Sequence, residues 1–133
     1  MLHYDLVITM ILGKLRLMGV SGVIDWVIQR ISSVVISSYV LWLFAWILTA
    51  DSVDYQAWKA LFSNFWMQVY TVSTVIATCA HAWVGMWTIG SDYLTKRQFG
   101  DSAFLVRATY NAFCGLLLFL YAFWSFYIMW TLT

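Results

Sequence analysis

Three apolar runs, ISSVVISSYVLWLFAWILTA (31–50), QVYTVSTVIATCAHAWVGMWTIG (68–90) and ATYNAFCGLLLFLYAFWSFYIMWTL (108–132), contain no Lys, Arg, Asp or Glu. A helix crosses the hydrocarbon core of a bilayer with about 20 residues, so each run is long enough to span. Proline is absent from the whole chain. Uninterrupted helices are therefore expected, because a helix satisfies its backbone polar groups internally where no water is present to do so. A composition of 63% hydrophobic and 10% charged residues, with a mean hydropathy of +0.80, excludes a soluble globular domain. The three spans nearly fill the 133 residues, so the sequence reads as one membrane domain over 1–133. The expected fold class is an all-α membrane protein, a bundle of three transmembrane helices.

The few charges report topology. Lys14, Arg16 and Arg30 precede the first run, Lys59 lies between the first two, Lys96, Arg97 and Arg107 lie between the second and third, and no basic residue follows the third. Positive residues stay on the cytoplasmic side, which places the N-terminus in the cytoplasm and the C-terminus in the periplasm. Trp26 and Trp87 then fall near the inner interface and Trp46, Trp58, Trp66 and Trp130 near the outer one, where amphipathic rings are favoured. A net charge of +1 gives no reason to invoke nucleic acid. Residues 1–22 read as a retained cytoplasmic or interfacial segment. Lys14 and Arg16 follow its apolar stretch rather than preceding it, unlike a signal peptide, and Gly19, Ser21 and Gly22 are expected to loosen the chain before the first span. The loop DSVDYQAWKALFSNFW fits a short interfacial helix capped by Asp54, with Trp58, Leu61 and Phe62 on one face. Cys79 and Cys114 both fall inside apolar runs and read as small buried packing residues.

One stretch, HAWVGMWTIGSDY (81–93), carries polar chemistry into the membrane. His81 lies near the middle of the second span. A neutral histidine at that depth either hydrogen-bonds a neighbouring helix or ligates a metal or haem iron. Ala77 and Gly85 flank it on the same helical face, and Thr74 and Thr88 extend that stripe. Small residues admit a second helix or a flat porphyrin alike. Asp92 follows His81 by about 16 Å along the axis and returns to nearly the same face. Asp92 and Tyr93 suit an interfacial anchor, and equally a phenol donor to a lipid-soluble carbonyl with a carboxylate beside it to handle protons. Arg30 suits a lipid phosphate or a propionate carboxylate.

The spacing H-A-W-x-G-M-W-x-x-x-x-D-Y, together with DWVIQRISS at the start of the first span, resembles the smaller hydrophobic membrane anchor subunits of bacterial succinate dehydrogenase (respiratory complex II). The resemblance covers residues 23–131. It implies a multi-pass subunit of the bacterial inner membrane and a b-type haem held between two anchors. His81 would be one axial ligand of haem b, and the second hydrophobic anchor subunit would supply the other. Arg30 would approach a haem propionate, Tyr93 would hydrogen-bond ubiquinone, and Asp92 would be its acidic neighbour on the proton path. The iron–sulfur and flavoprotein subunits are the further partners implied, and residues 1–22 are longer than the family leads one to expect.

Part of this follows from the residues alone. A bis-histidine haem needs two imidazoles, and at membrane depth this chain offers one, since His3 lies outside the spans. A second chain must complete such a site. No flavin or dinucleotide motif and no cysteine cluster for an iron–sulfur centre is present, so no catalytic residue for succinate oxidation is expected within this chain alone. The reading from a different class is a small structural or transport subunit without haem, in which His81 serves helix–helix hydrogen bonding and Asp92 and Tyr93 are anchors.

Overall fold

A computed structural model describes residues 20–132. All regular structure among them is helical: α1 (Val20–Thr49), α2 (Tyr55–Ser63), α3 (Phe65–Tyr93), the single turn α4 (Lys96–Phe99), a 3₁₀ turn (Gly100–Ser102) and α5 (Ala103–Leu132). Among the described residues three helices are long and apolar enough to cross a membrane. They correspond to the three uncharged runs. Each helix extends beyond its run, because a single charge near a helix end reaches the headgroup layer without breaking the hydrogen-bond ladder. Thus α1 already contains Asp25 and Arg30, and α5 contains Arg107.

The expected loosening at Ser21 and Gly22 is not found, since both residues lie within α1. An isolated glycine costs a helix only about 1 kcal/mol relative to alanine. Thirty residues of continuous ladder outweigh that. The remainder of the proposed N-terminal segment, including Gly19, lies outside the described residues.

Between α1 and α3, the helix read from the loop is present as α2. The Asp54 carboxylate accepts the Ala57 amide at 2.8 Å, satisfying an otherwise orphaned donor of the first turn. Its apolar face closes on the bundle: Phe62 is buried, and Trp58 meets both Trp46 and Phe62 with ring centroids 5.8 and 5.1 Å apart. Asn64 ends α2 and starts α3, where its side chain accepts from the Trp66 and Met67 amides. Cys114 is buried as expected, whereas Cys79 is only partly buried, and both are free thiols.

The middle helix, α3, packs on α1 and on α5. Its contact with α1 is a polar seam. Tyr39 and Thr71 hydroxyls lie 2.9 Å apart, Tyr70 donates to Ser38 Oγ at 2.7 Å, Ser32 Oγ lies 2.9 Å from His81 Nδ1, and the Gln29 side-chain amide donates to the His81 carbonyl at 2.8 Å. Interhelical bonds of this kind contribute about 0.6 kcal/mol each. Hydroxyls on the helices are also tied to carbonyls one turn earlier, as in Thr71 to Met67, Thr74 to Tyr70 and Thr78 to Thr74. In lipid those local bonds remove the cost of carrying a bare hydroxyl.

The contact of α3 with α5 is made by close approach. A Cβ on Gly90 would lie 3.1 Å from two ring carbons of Tyr110 and 3.4 Å from Asn111 Oδ1, so the aromatic ring rests where a side chain would stand. Gly90→Val should therefore force α5 outward and lower stability by about 1–3 kcal/mol, the usual cost of overpacking. Thermal unfolding of the solubilised assembly measures this, and an unchanged midpoint would mean that Tyr110 swings aside freely.

Candidate functional site

The start of α1, the end of α3, the α4 turn and the start of α5 lie at one end of the bundle, with α1 and α5 each packed on α3. A groove of about 570 Å³ opens there between α1 and α3, lined by Asp25, Trp26, Gln29, Arg30 and Ser33 from the first helix and His81, Val84, Gly85 and Thr88 from the second. Two candidate residues from different spans, His81 and Arg30, are thereby brought to one surface.

The imidazole is held on one side. Its Nδ1 lies 2.9 Å from the Oγ of Ser32, a residue only 4% exposed, and its own backbone carbonyl accepts from the Gln29 amide. Among the described residues no hydrogen bond reaches Nε2. Arg30 is exposed, with its guanidinium carbon 5.5 Å from the Trp26 ring centroid. This cation–π contact is worth about 0.5–1 kcal/mol at an exposed site, and it keeps the charge at the groove rather than free in the headgroup layer.

Gly85 forms part of the floor one turn beyond His81. A Cβ there would touch only the Gln29 amide nitrogen at 3.9 Å, an ordinary contact. Unlike Gly90, this glycine is not demanded by packing within the chain; its missing side chain leaves the groove open beside the imidazole. Among the described residues no three of His, Cys, Asp and Glu gather in a way that would hold a bare metal ion. A planar group ligated by one imidazole and paired at its edge with one guanidinium fits the residues present. A multidentate metal site does not.

Asp92 and Tyr93 are not part of the groove lining. They close the same helix, Asp92 on the face reached from His81 through Gly85 and Thr88 and Tyr93 about 100° further round. Asp92 is exposed and accepts from Ser91 Oγ at 3.3 Å, and Tyr93 is 64% exposed. Their position depends on how α3 ends. The Leu94 amide returns to the Gly90 carbonyl at 3.2 Å, and Arg107 Nη2 from α5 donates to the Leu94 carbonyl at 3.0 Å. A cation bonded to a carbonyl at a helix C-terminus also meets the negative end of the helix dipole. Arg107 Nε is enclosed without an acceptor, so the Leu94 bond is the compensation this buried edge of the guanidinium receives.

Sequence reading singled out His81, Arg30, Asp92 and Tyr93 as candidates and did not single out Ser32, Gln29 or Arg107, whose contacts the structure shows. Each of these acts across a gap between helices, and its partner is set by packing rather than by periodicity. The only available signal was the polar character of Gln29 and Ser32 at the start of an otherwise apolar run.

Compared with known proteins, residues 9–113 match the family model described as the succinate dehydrogenase/fumarate reductase transmembrane subunit. A relative in Coxiella burnetii (strain RSA 493 / Nine Mile phase I), named succinate dehydrogenase hydrophobic membrane anchor subunit, is 30% identical over 109 residues, covering 82% of this chain and 89% of the relative.

Arg107→Met keeps the apolar stem and removes the bond to Leu94. A charge-assisted hydrogen bond of this kind is worth about 1.5 kcal/mol or more, so the amides of Gln98 and Phe99, which bond back to the Thr95 carbonyl, should exchange about 10-fold faster. Hydrogen exchange resolved over the α3–α5 connection checks this. Unaltered protection would mean that the turn holds without the arginine.

Proposed function

This chain belongs to the succinate dehydrogenase/fumarate reductase transmembrane subunit family, and we propose that it anchors a succinate:quinone oxidoreductase, supplying half of a haem site and part of a quinone site. In this reading His81 would bind the iron of a b-type haem, Arg30 would pair with a propionate, and Tyr93 with Asp92 would serve ubiquinone reduction. The N-terminus and the Arg30 end of the bundle face the cytoplasm of a bacterial cell, as the distribution of basic residues suggests. A second hydrophobic anchor supplies the other imidazole, and iron–sulfur and flavoprotein subunits oxidise succinate and deliver its electrons.

The observation that carries the haem assignment is the shared groove of His81 and Arg30, open over Gly85. Bound there, a haem supplies a one-electron redox centre within the membrane. The chain's own residues do the rest. Ser32 holds the imidazole and Gln29 its backbone carbonyl against α1, Arg30 would offer positive charge to the propionates, and Val84 adds an apolar side chain to the groove.

Quinone reduction needs two electrons and two protons. The phenol of Tyr93 is exposed, and in this reading it would donate a hydrogen bond to a quinone carbonyl as negative charge grows on its oxygen. Asp92 is exposed beside it and able to exchange protons with the aqueous side.

A second reading has one observation in its favour: the Ser32–His81 bond is the helix–helix contact that a purely structural histidine would make. The two readings part over Nε2, which a structural histidine leaves unused. Replacing His81 with alanine in the assembled complex should abolish or alter the b-type reduced-minus-oxidised spectrum. A wild-type complex without that spectrum, or a variant retaining it unchanged, would leave the structural reading standing.

For the quinone site, Tyr93→Phe keeps the ring and deletes one hydroxyl. Assembly, haem content and succinate oxidation with a dye that accepts electrons upstream should be retained. Quinone reduction should fall about 10-fold or more, corresponding to about 1.4 kcal/mol of lost transition-state stabilisation. Equal ratios of dye to quinone activity in variant and wild type would make Tyr93 an interfacial anchor only.

A further inference from the structure

We infer that Ser32 is the positioning residue that fixes the tautomer of His81, keeping the imidazole proton on Nδ1 so that Nε2 presents its lone pair to the groove.

The inference follows from counting protons. A serine hydroxyl has one proton to donate and two lone pairs with which to accept. Ser32 Oγ donates to the Ile28 carbonyl one turn earlier, with the Gln29 carbonyl a longer contact at 3.3 Å. Its single proton is therefore committed within α1. The 2.9 Å contact with His81 Nδ1 must then run the other way, with the ring N–H donating to Oγ. Were Nδ1 unprotonated, two lone pairs would face each other beside a residue only 4% exposed, with no water to intervene. That arrangement carries the full cost of an unsatisfied buried polar pair.

A neutral imidazole with its proton on Nδ1 has its lone pair on Nε2. The donation from Ser32 to the helix carbonyl also polarises its oxygen, which strengthens it as an acceptor. The Gln29 amide also bonds the backbone carbonyl of the same residue at 2.8 Å, which keeps this turn of α3 beside Ser32. One helix thus holds His81 by side chain and by backbone together. Ligating histidines are commonly oriented by an acceptor on the remote ring nitrogen, and loss of such a partner typically costs 10–100-fold in affinity for the bound metal. Here that acceptor is a hydroxyl of the same chain.

What Nε2 binds rests on the haem reading above, whereas the tautomer does not, and the experiment separates them. In the intact complex, Ser32→Ala removes the acceptor, Ser32→Thr retains a hydroxyl able to bond the same carbonyl, and Ser38→Ala removes another α1–α3 hydrogen bond, that with Tyr70, away from the imidazole. Haem is expected to leave Ser32→Ala about 10-fold faster, with an altered low-spin spectrum and a raised midpoint potential, because a weaker acceptor on Nδ1 makes the imidazole a poorer electron donor to iron. Ser32→Thr should restore all three and Ser38→Ala should leave them at wild-type values. Identical haem retention, spectrum and potential in Ser32→Ala and wild type would overturn the inference, as would an equal effect of Ser38→Ala, which would reduce Ser32 to packing. Nitrogen NMR of the reduced complex, with histidine labelled in this chain only, reads the tautomer directly, and His81→Ala assigns the signal because His3 is the only other histidine. A proton on Nε2 overturns the inference whatever the haem content. Absence of haem from the wild-type complex overturns the haem reading instead, and the nitrogen spectrum still decides the role of Ser32.

Discussion

Between α1 and α3, polar groups have to find partners without water. A hydroxyl or amide left bare in hydrocarbon costs several kcal/mol, far more than the fraction gained by any one interhelical bond. The seam formed by Gln29, Ser32, Ser38 and Tyr39 against Thr71, Tyr70 and His81 is thus fixed in register less by attraction than by the lack of any alternative. Sliding one helix past the other by a single turn would strand the Tyr39 and Tyr70 hydroxyls, the Gln29 amide and His81 Nδ1 at once, while Ser32, Ser38 and Thr71 would keep their own-helix carbonyls. That constraint brings the Arg30 end of α1 level with the His81 face of α3, and the groove is its consequence.

The third helix obeys a different rule. Where α3 meets α5, glycine replaces hydroxyls: Tyr110 lies against the bare backbone of Gly90, and Trp83 lies 3.7 Å from the position of a Cβ on Gly115. Dispersion rather than hydrogen bonding joins these surfaces. Arg107 completes the junction by reaching across the connection to Leu94, so the end of α3 that carries Asp92 and Tyr93 is braced from α5, while its middle is braced from α1. Two neighbours thus control two different stretches of a single helix.

The three spans and the α2 helix were legible in the sequence because they follow from local facts, whereas the α4 turn and the 3₁₀ turn after it were not. Uncharged runs of sufficient length have no other fate in a bilayer, and Asp54 can cap a helix on the strength of its own side chain. Helix limits were less legible. Asp25, Arg30 and Arg107 bound the uncharged runs but not the helices, since the hydrocarbon slab ends before the hydrogen-bond ladder does. His81 and Arg30 were visible as exceptions, a titratable group at depth and a cation at an apolar border. That they share one groove was not, because no periodicity relates positions on different helices. Ser32 was invisible for a subtler reason: a serine in a membrane helix ordinarily spends its proton on the preceding turn, and only the position of a second helix shows that its oxygen is used again.

Few of the described residues are buried within the chain; the buried hydrophobic ones among them are Phe62, Met67, Val75, Ala103 and Cys114. Large side chains along α5, such as Phe104 and Trp130, each 82% exposed, face outward. Lipid already covers such surfaces, so a neighbouring protein that docks there displaces acyl chains rather than water, and the hydrophobic effect that drives association in solution contributes almost nothing. Companions are therefore selected by contour and by the few polar atoms that protrude, and a misfit gains no compensation from greasiness. A surface this rich in Phe, Trp and Leu is consequently discriminating in the bilayer, where the same surface in water would adhere to almost anything.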